Sequence, residues 1–270
     1  MPTSLSLGTI VDLDRYPIDD LESVAGRALV ERCRAELDTL GACDLERFLR
    51  PEAISPVVAW AEADAPNAFR KAVEHTIYFN RPDPELELPD DDPRRARVRT
   101  VKAGLAYDRV PADSPLRTLY ESDELTRFVG RAVGLDEVFR HGDELGALNV
   151  MIYEPGDELG WHFDSADFVV TLMLQPSLAG GAFEYVPMLR SPEDENYDGV
   201  QALLDGKRDG VRGMSGRAGT LALFRGHHSP HRVTPVEGDR ARINAVLAYA
   251  TVPDAVLSSA ARELFYGRAA

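Results

Sequence analysis

An α+β fold is predicted for this 270-residue chain: a double-stranded β-helix (jelly-roll) core with an N-terminal helical layer. Three observations predict it. Apolar residues recur at helical spacing through much of the first half. From about residue 147 the texture changes to short runs rich in β-branched and aromatic residues, separated by Gly, Pro and Asp turns, as in a sandwich or barrel. A last helical stretch closes the chain. The expected organisation is one domain over 1–270, with mainly helical support and loops at 1–140, the jelly-roll core at 141–252 and a C-terminal helix at 253–270.

The elements follow in order. Residues 18–41, IDDLESVAGRALVERCRAELDTLG, read as a helix with acids in its first turn and Gly41 as its stop. Residues 51–73 read as a second helical stretch interrupted by prolines. Residues 80–99, NRPDPELELPDDDPRRARVR, are proline-rich, acidic and then basic, which predicts a solvated loop. The sharper alternative there is a lid, with an arginine such as Arg99 facing a substrate carboxylate. Residues 114–134 predict another helix: Ser114 can cap it, Pro115 suits its first turn and Gly134 ends it. Strands are expected at ALNVMIY, LGWHFD, FVVTLMLQ, AFEYVP, TLALF, HRVTPV and INAVLAYATV. Residues 191–206 interrupt them as a helix, and 254–267 form the last one.

Composition narrows the function classes. Hydrophobic residues make up 44% of the chain and charged residues 28%, the balance of an ordinary globular protein. No apolar run approaches the roughly 20 residues that span a bilayer, and the N-terminus lacks a secretory pattern. Cys33 and Cys43 have neither zinc-site nor redox spacing, so a reducing cytoplasm is expected. The net charge of −15 repels phosphate backbones and anionic membranes. Neither nucleic acid nor membrane is therefore expected as a partner, while the charge says nothing sharp about a small-molecule substrate. The oligomeric state stays open.

The chemistry centres on GDELGWHFDSADF, residues 156–168. Read as a strand, it turns His162 and Asp164 to one face and Trp161 and Phe163 to the other. Two polar side chains then share a cavity while two aromatics pack against a layer. A third ligand is expected from FRGHHSPHRVTPVEGDRARINAVLAY, residues 224–249. His231 is the choice there, because HRVTPV reads as a new strand; His227 and His228 fall in the preceding turn. Two histidines and one carboxylate leave one face of a metal open, which suits non-haem Fe(II) oxygenases, although such ligands also suit zinc hydrolysis. Downstream, Arg240 and Arg242 share a parity, so both can face the barrel interior. A buried guanidinium needs an anion, and its fork of donors fits a carboxylate such as the distal one of 2-oxoglutarate. Asn244 shares their face.

Together, HFD, the distal His231 and the GDR arginine resemble the Fe(II)/2-oxoglutarate-dependent dioxygenase superfamily. IYEPGDELGWHFD is similar to the strand pair of its AlkB-like and prolyl-hydroxylase-like branches. The longer pattern GWHFDSADFVVTLMLQ…GGAFEYVP…DENY looks closest to the group of free-amino-acid hydroxylases and radical halogenases. The resemblance covers about residues 145–250. It implies that His162, Asp164 and His231 hold Fe(II), that Arg240 or Arg242 binds 2-oxoglutarate, with the G-x-R spacing favouring Arg240 and Arg242 left to pair with a nearby acid, and that Tyr153 touches the cosubstrate. It further implies that O2 is consumed, that succinate and CO2 are released, and that a C–H bond of a free or lightly modified amino acid is hydroxylated. Halogenases of that group replace the carboxylate ligand with a small residue. This chain keeps Asp164, which favours hydroxylation. An AlkB-like demethylase and a non-catalytic jelly-roll binding protein are the alternatives.

Overall fold

Ser23, and not the acidic run before it, starts the first long helix. In the computed structural model, which describes residues 5–79 and 87–269, helix α1 spans Val24–Leu40. The Ser23 hydroxyl accepts from the Gly26 N–H, and Gly41 closes the helix in the left-handed region at φ 68°. Helix α2, Pro51–Asp64, begins on its proline. The expected helix at 114–134 is two: α3, Pro115–Tyr120, and α4, Asp123–Val133. Ser114 caps the first and Ser122 the second, so the chain restarts its capping within one expected helix. Helices α5, Tyr197–Leu204, and α6, Ser259–Tyr266, lie within the two later predicted stretches.

The stretch 51–73 does not stay helical. After Pro66 the chain becomes strand β2, Phe69–Thr76, paired along its whole length with β3, Arg97–Leu105. Side-chain exposure alternates along β2, and the partner strand supplies what helical spacing alone could not forecast. Of the expected loop at 80–99, residues 80–86 lie outside the described residues. Arg99 sits on β3 with its side chain about half exposed, and its Nη1 donates to Glu158 at 2.5 Å. The lid reading of Arg99 is therefore corrected: a carboxylate of the protein's own already occupies it.

Among the described residues, eleven strands form the main sheet. With β1 at Ala42–Leu45, the remaining members are β4 Leu148–Tyr153, β5 Glu158–His162, β6 Val169–Gln175, β7 Phe183–Tyr185, β8 Arg212–Gly213, β9 Leu221–Phe224, β10 His231–Val233 and β11 Arg242–Leu247. Their order is β1-β9-β6-β11-β4-β3-β5-β10-β7-β8, with β2 on the side of β3. Three of these strands thus come from the first 105 residues, which the sequence suggested were mainly helix and loop. β3 curls the sheet: its end pairs with β4 through Ala103↔Ile152, and its middle pairs with β5 through Thr100↔Leu159. The sheet thereby folds over on itself as a roll, and the expected jelly-roll core with a helical layer is present.

One face of the β1-β9-β6-β11-β4 layer is apolar. Leu148, Val150, Ile152, Leu172, Leu223 and Ile243 pack there with Leu37, Leu119 and Phe128 of the helical layer and with Phe48 from the segment after β1. Burying each such side chain contributes roughly 1.5–3 kcal/mol. The opposite face lines the interior of the roll.

Candidate metal centre

His162 and His231 are cross-strand neighbours, paired directly in the β5–β10 ladder. Directly opposed residues place their side chains on the same face, and here the two rings lie 4.0 Å apart between centroids. Each imidazole is held by its own chain. The His162 Nδ1–H donates to the Gly160 carbonyl at 2.9 Å, and the His231 Nδ1–H donates to the Ser229 carbonyl at 3.1 Å. A carbonyl only accepts, so in the neutral ring both Nε2 atoms are left with free lone pairs. Phe183 stacks on His231, Phe224 meets its edge, and Phe79 meets the edge of His162.

Both Nε2 atoms face Asp164. The distances are 3.6 Å from His162 to Oδ1 and 3.4 Å from His231 to Oδ2. Asp164 lies just past the end of β5, and its N–H donates to the Gly226 carbonyl at 3.1 Å. Trp161 and Phe163 turn the other way and pack with Ile77, Val186, Val200 and Leu203. The alternation read from the sequence therefore describes the local geometry.

The donor set fits a divalent metal. His162, Asp164 and His231 offer ligand atoms within 4.8 Å of one another, and Asp164 Oδ2 is buried with no hydrogen-bond partner among the described residues. Burial, with His162 second, pushes His231 down to about 3, so its imidazole is neutral at neutral pH. Burial alone would raise the Asp164 carboxyl, but the adjacent imidazoles of His231 and His162 bring it down to about 2. A neutral imidazole beside an ionised carboxylate is the protonation state a metal requires. Gly226 makes room for this arrangement: a Cβ on it would lie 1.8 Å from Asp164 Oδ2.

The two candidate arginines separate. Arg242 is the first residue of β11, is 4% exposed, and lies opposite Tyr153 in the ladder. Its guanidinium stands 5.3 Å from the Tyr153 ring centroid, Nη1 donates to Asn244 Oδ1, and Nε has no partner among the described residues. No carboxylate among the described residues pairs with it. Arg240 precedes the strand, so parity does not govern it. It is exposed and donates to the carbonyls of Pro176 and Ser177 at 2.9 and 3.5 Å. The expectation that both arginines face the interior fails at Arg240 because the alternating backbone begins only at Arg242.

Tyr153 is 2% exposed, and burial pushes its hydroxyl up to about 12. Of the turn histidines, the His227 Nδ1–H donates to the Asp164 carbonyl at 3.1 Å and so braces that ligand from outside the cluster. Sequence reasoning missed His75, which stacks on Phe79 and bonds Thr100 Oγ1 at 2.7 Å beside His162. It falls between the stretch read as helix, 51–73, and the expected loop at 80–99, where the sequence suggested no element.

The sequence pattern of the family described as Halogenase D matches residues 44–264. Among curated proteins none matches. Similar solved structures include an oxidoreductase of the 2OG-Fe(II) oxygenase family from Burkholderia pseudomallei, with TM-score 0.52, 16% identity, and coverage of 84% of this chain and 92% of that one. AviO1 from Streptomyces viridochromogenes Tue57 aligns with TM-score 0.53 and 21% identity over 83% and 94% of the two chains. The non-heme alpha ketoglutarate dependent epimerase SnoN from nogalamycin biosynthesis aligns with TM-score 0.56 and 12% identity over 83% of each. At such identities the likeness carries the fold. The match to the family pattern spans most of the sequence, and on that ground the chain belongs to the Halogenase D family, with the fold of the 2-oxoglutarate-Fe(II) oxygenases.

Proposed function

We propose that the protein is an Fe(II)/2-oxoglutarate-dependent hydroxylase of an unactivated C–H bond in a small molecule, a free or lightly modified amino acid. One observation carries the reading: the buried His162 and His231 converge with the partly buried Asp164 in a roll whose interior also holds the guanidinium of Arg242, which meets no carboxylate among the described residues. His162, Asp164 and His231 would hold the metal. Bound Fe(II), with 2-oxoglutarate and O2, supplies the oxidising power for C–H hydroxylation, with succinate and CO2 as the other products.

The remaining work belongs to the chain. The Gly160 and Ser229 carbonyls fix the tautomer and tilt of the two imidazoles. His227 and Gly226 fix the Asp164 backbone. Arg242 receives the far carboxylate of 2-oxoglutarate, with Asn244 orienting its fork and Tyr153 beside it. Arg240 takes no part, since it is exposed and bonded to backbone carbonyls. Phe79, Phe183 and Phe224 wall the imidazoles and limit water around them. Asp164 fills the position that a halide would need, which favours hydroxylation over chlorination.

The test is incubation of iron-loaded protein with 2-oxoglutarate, chloride and a panel of amino acids, following succinate and the mass of the product. The expected result is succinate formation tied to one hydroxylated amino acid. Absence of turnover across the panel refutes the substrate class, and a chlorinated product refutes the role given to Asp164.

A further inference from the structure

The interior wall of the roll carries a lysine that nothing above employs. Lys102 lies in β3 beside Ala103, which packs in the helix-facing core. Strand alternation turns Lys102 to the opposite face, which it shares with Thr100. Thr100 fixes that orientation: its Oγ1 accepts from the Gly160 N–H at 3.0 Å and bonds His75 Nε2 at 2.7 Å. The β3–β4 register pairs Ala103 with Ile152, so its next step sets Lys102 alongside Tyr153, which is itself opposite Arg242. Lys102, Tyr153 and Arg242 thus form a row across three strands.

Lys102 is half-buried and makes no hydrogen bond or salt bridge among the described residues. Its cross-strand neighbour Lys71 is engaged elsewhere, donating to the Leu264 carbonyl at 3.0 Å and lying over Phe265. Burial lowers the pKa of Lys102 while the Asp164 carboxylate raises it, and its charge is also felt by His231 and His75. The face that Lys102 shares with Thr100 is the one from which Thr100 meets Gly160 and His75, next to the ligand strand β5. Arg242 feels no such charge and has Tyr153 as its neighbour. A half-buried cation without a partner has lost part of its hydration, which the anion of a ligand would replace. With the far carboxylate of 2-oxoglutarate assigned to Arg242, the second cation serves a second anion.

We propose that Lys102 binds the carboxylate of the substrate and holds the anionic end of an amino acid against the wall between the metal ligands and Tyr153. This rests on the amino-acid hydroxylase reading above. Its test is anaerobic calorimetry on iron-loaded protein, first with 2-oxoglutarate and then with a panel of free amino acids and their amine analogues lacking the carboxylate. Wild type, Lys102→Met and Lys102→Arg are compared. The amino acid that binds wild type best is expected to bind Lys102→Met about 30-fold more weakly, as for loss of a hydrogen bond to a charged group. Its amine analogue should bind both proteins equally, Lys102→Arg should restore part of the loss, and 2-oxoglutarate affinity should hold within about twofold. Unchanged amino-acid affinity in Lys102→Met overturns the proposal, as does a loss confined to 2-oxoglutarate or a panel without a binder. Wild-type protein that binds no 2-oxoglutarate at all gives a separate signal, which overturns the oxygenase reading itself and this proposal with it.

Discussion

Strand β11 carries two kinds of residue in alternation. Ile243, Ala245 and Leu247 face the helices and are at most 1% exposed, while Arg242 and Asn244, 4% and 7% exposed, face the interior of the roll. Strand β4 repeats the contrast, with Leu148, Val150 and Ile152 against Asn149, Met151 and Tyr153. The helix-facing side gains stability in proportion to the apolar area it removes from water. The inner side withdraws a guanidinium, two imidazoles and a carboxylate from water, which opposes folding unless ligands compensate. The difference teaches that one pleated backbone can separate stability from chemistry by parity alone.

Substitutions on the two sides should therefore fail in different ways. The largest effect is expected from His231→Ala, which removes one of three ligands: Fe(II) affinity should fall by more than about 100-fold in a metal titration, beyond the range seen for outer partners, while thermal unfolding changes little. Leu172→Ala should do the reverse. Leu172 is fully buried in the helix-facing core, so unfolding in denaturant should show a loss of about 2–5 kcal/mol, with Fe(II) and 2-oxoglutarate affinities retained in the folded fraction.

Arg242→Met should weaken 2-oxoglutarate binding by roughly 30-fold, as for loss of a charged hydrogen-bond donor, whereas Arg240→Met should leave it unchanged in the same titration. The metal-free protein should also lose stability as pH falls. The folded pKa of His231 is depressed to about 3. Its contribution is thus present above the unfolded value of about 6.5 and declines below it, by about 2 kcal/mol at pH 5. Asp164, held at about 2, adds a further loss only below about 3.8. Melting temperatures from pH 7 to 5 measure the first of these, and His231→Gln should flatten the slope. The smallest effect is expected from Gly226→Ala, whose Cβ displaces the Asp164 carboxylate: Fe(II) affinity should fall about 10-fold, the scale of a disturbed outer support.

Much of this contrast could be read in advance, for physical reasons. The two-residue spacing of His162 and Asp164 has one meaning on a strand, and the apolar pair Trp161 and Phe163 marked that strand. His231 was legible because Val233 alternates with it. The arginines were not resolved, because parity holds only within a strand and Arg240 falls in the turn after Gly238, a glycine with φ of 83°. β2 was missed because FRKAVEHT is charged enough to pass for a helix surface, and its partner lies more than 20 residues downstream. His75 and Lys102 were lost with that hairpin, since their approach to the site depends on its pairing.

The central claim, that the three ligands and Arg242 serve one metal and one cosubstrate, is tested most directly by anaerobic titration of the purified protein with Fe(II) and 2-oxoglutarate. The readout is the visible charge-transfer absorption that arises only when the keto acid chelates the metal. One Fe(II) and one 2-oxoglutarate per chain should saturate the band, and His231→Ala should abolish it. A wild-type protein that gives no band, or a His231→Ala protein that gives the full one, would contradict the account.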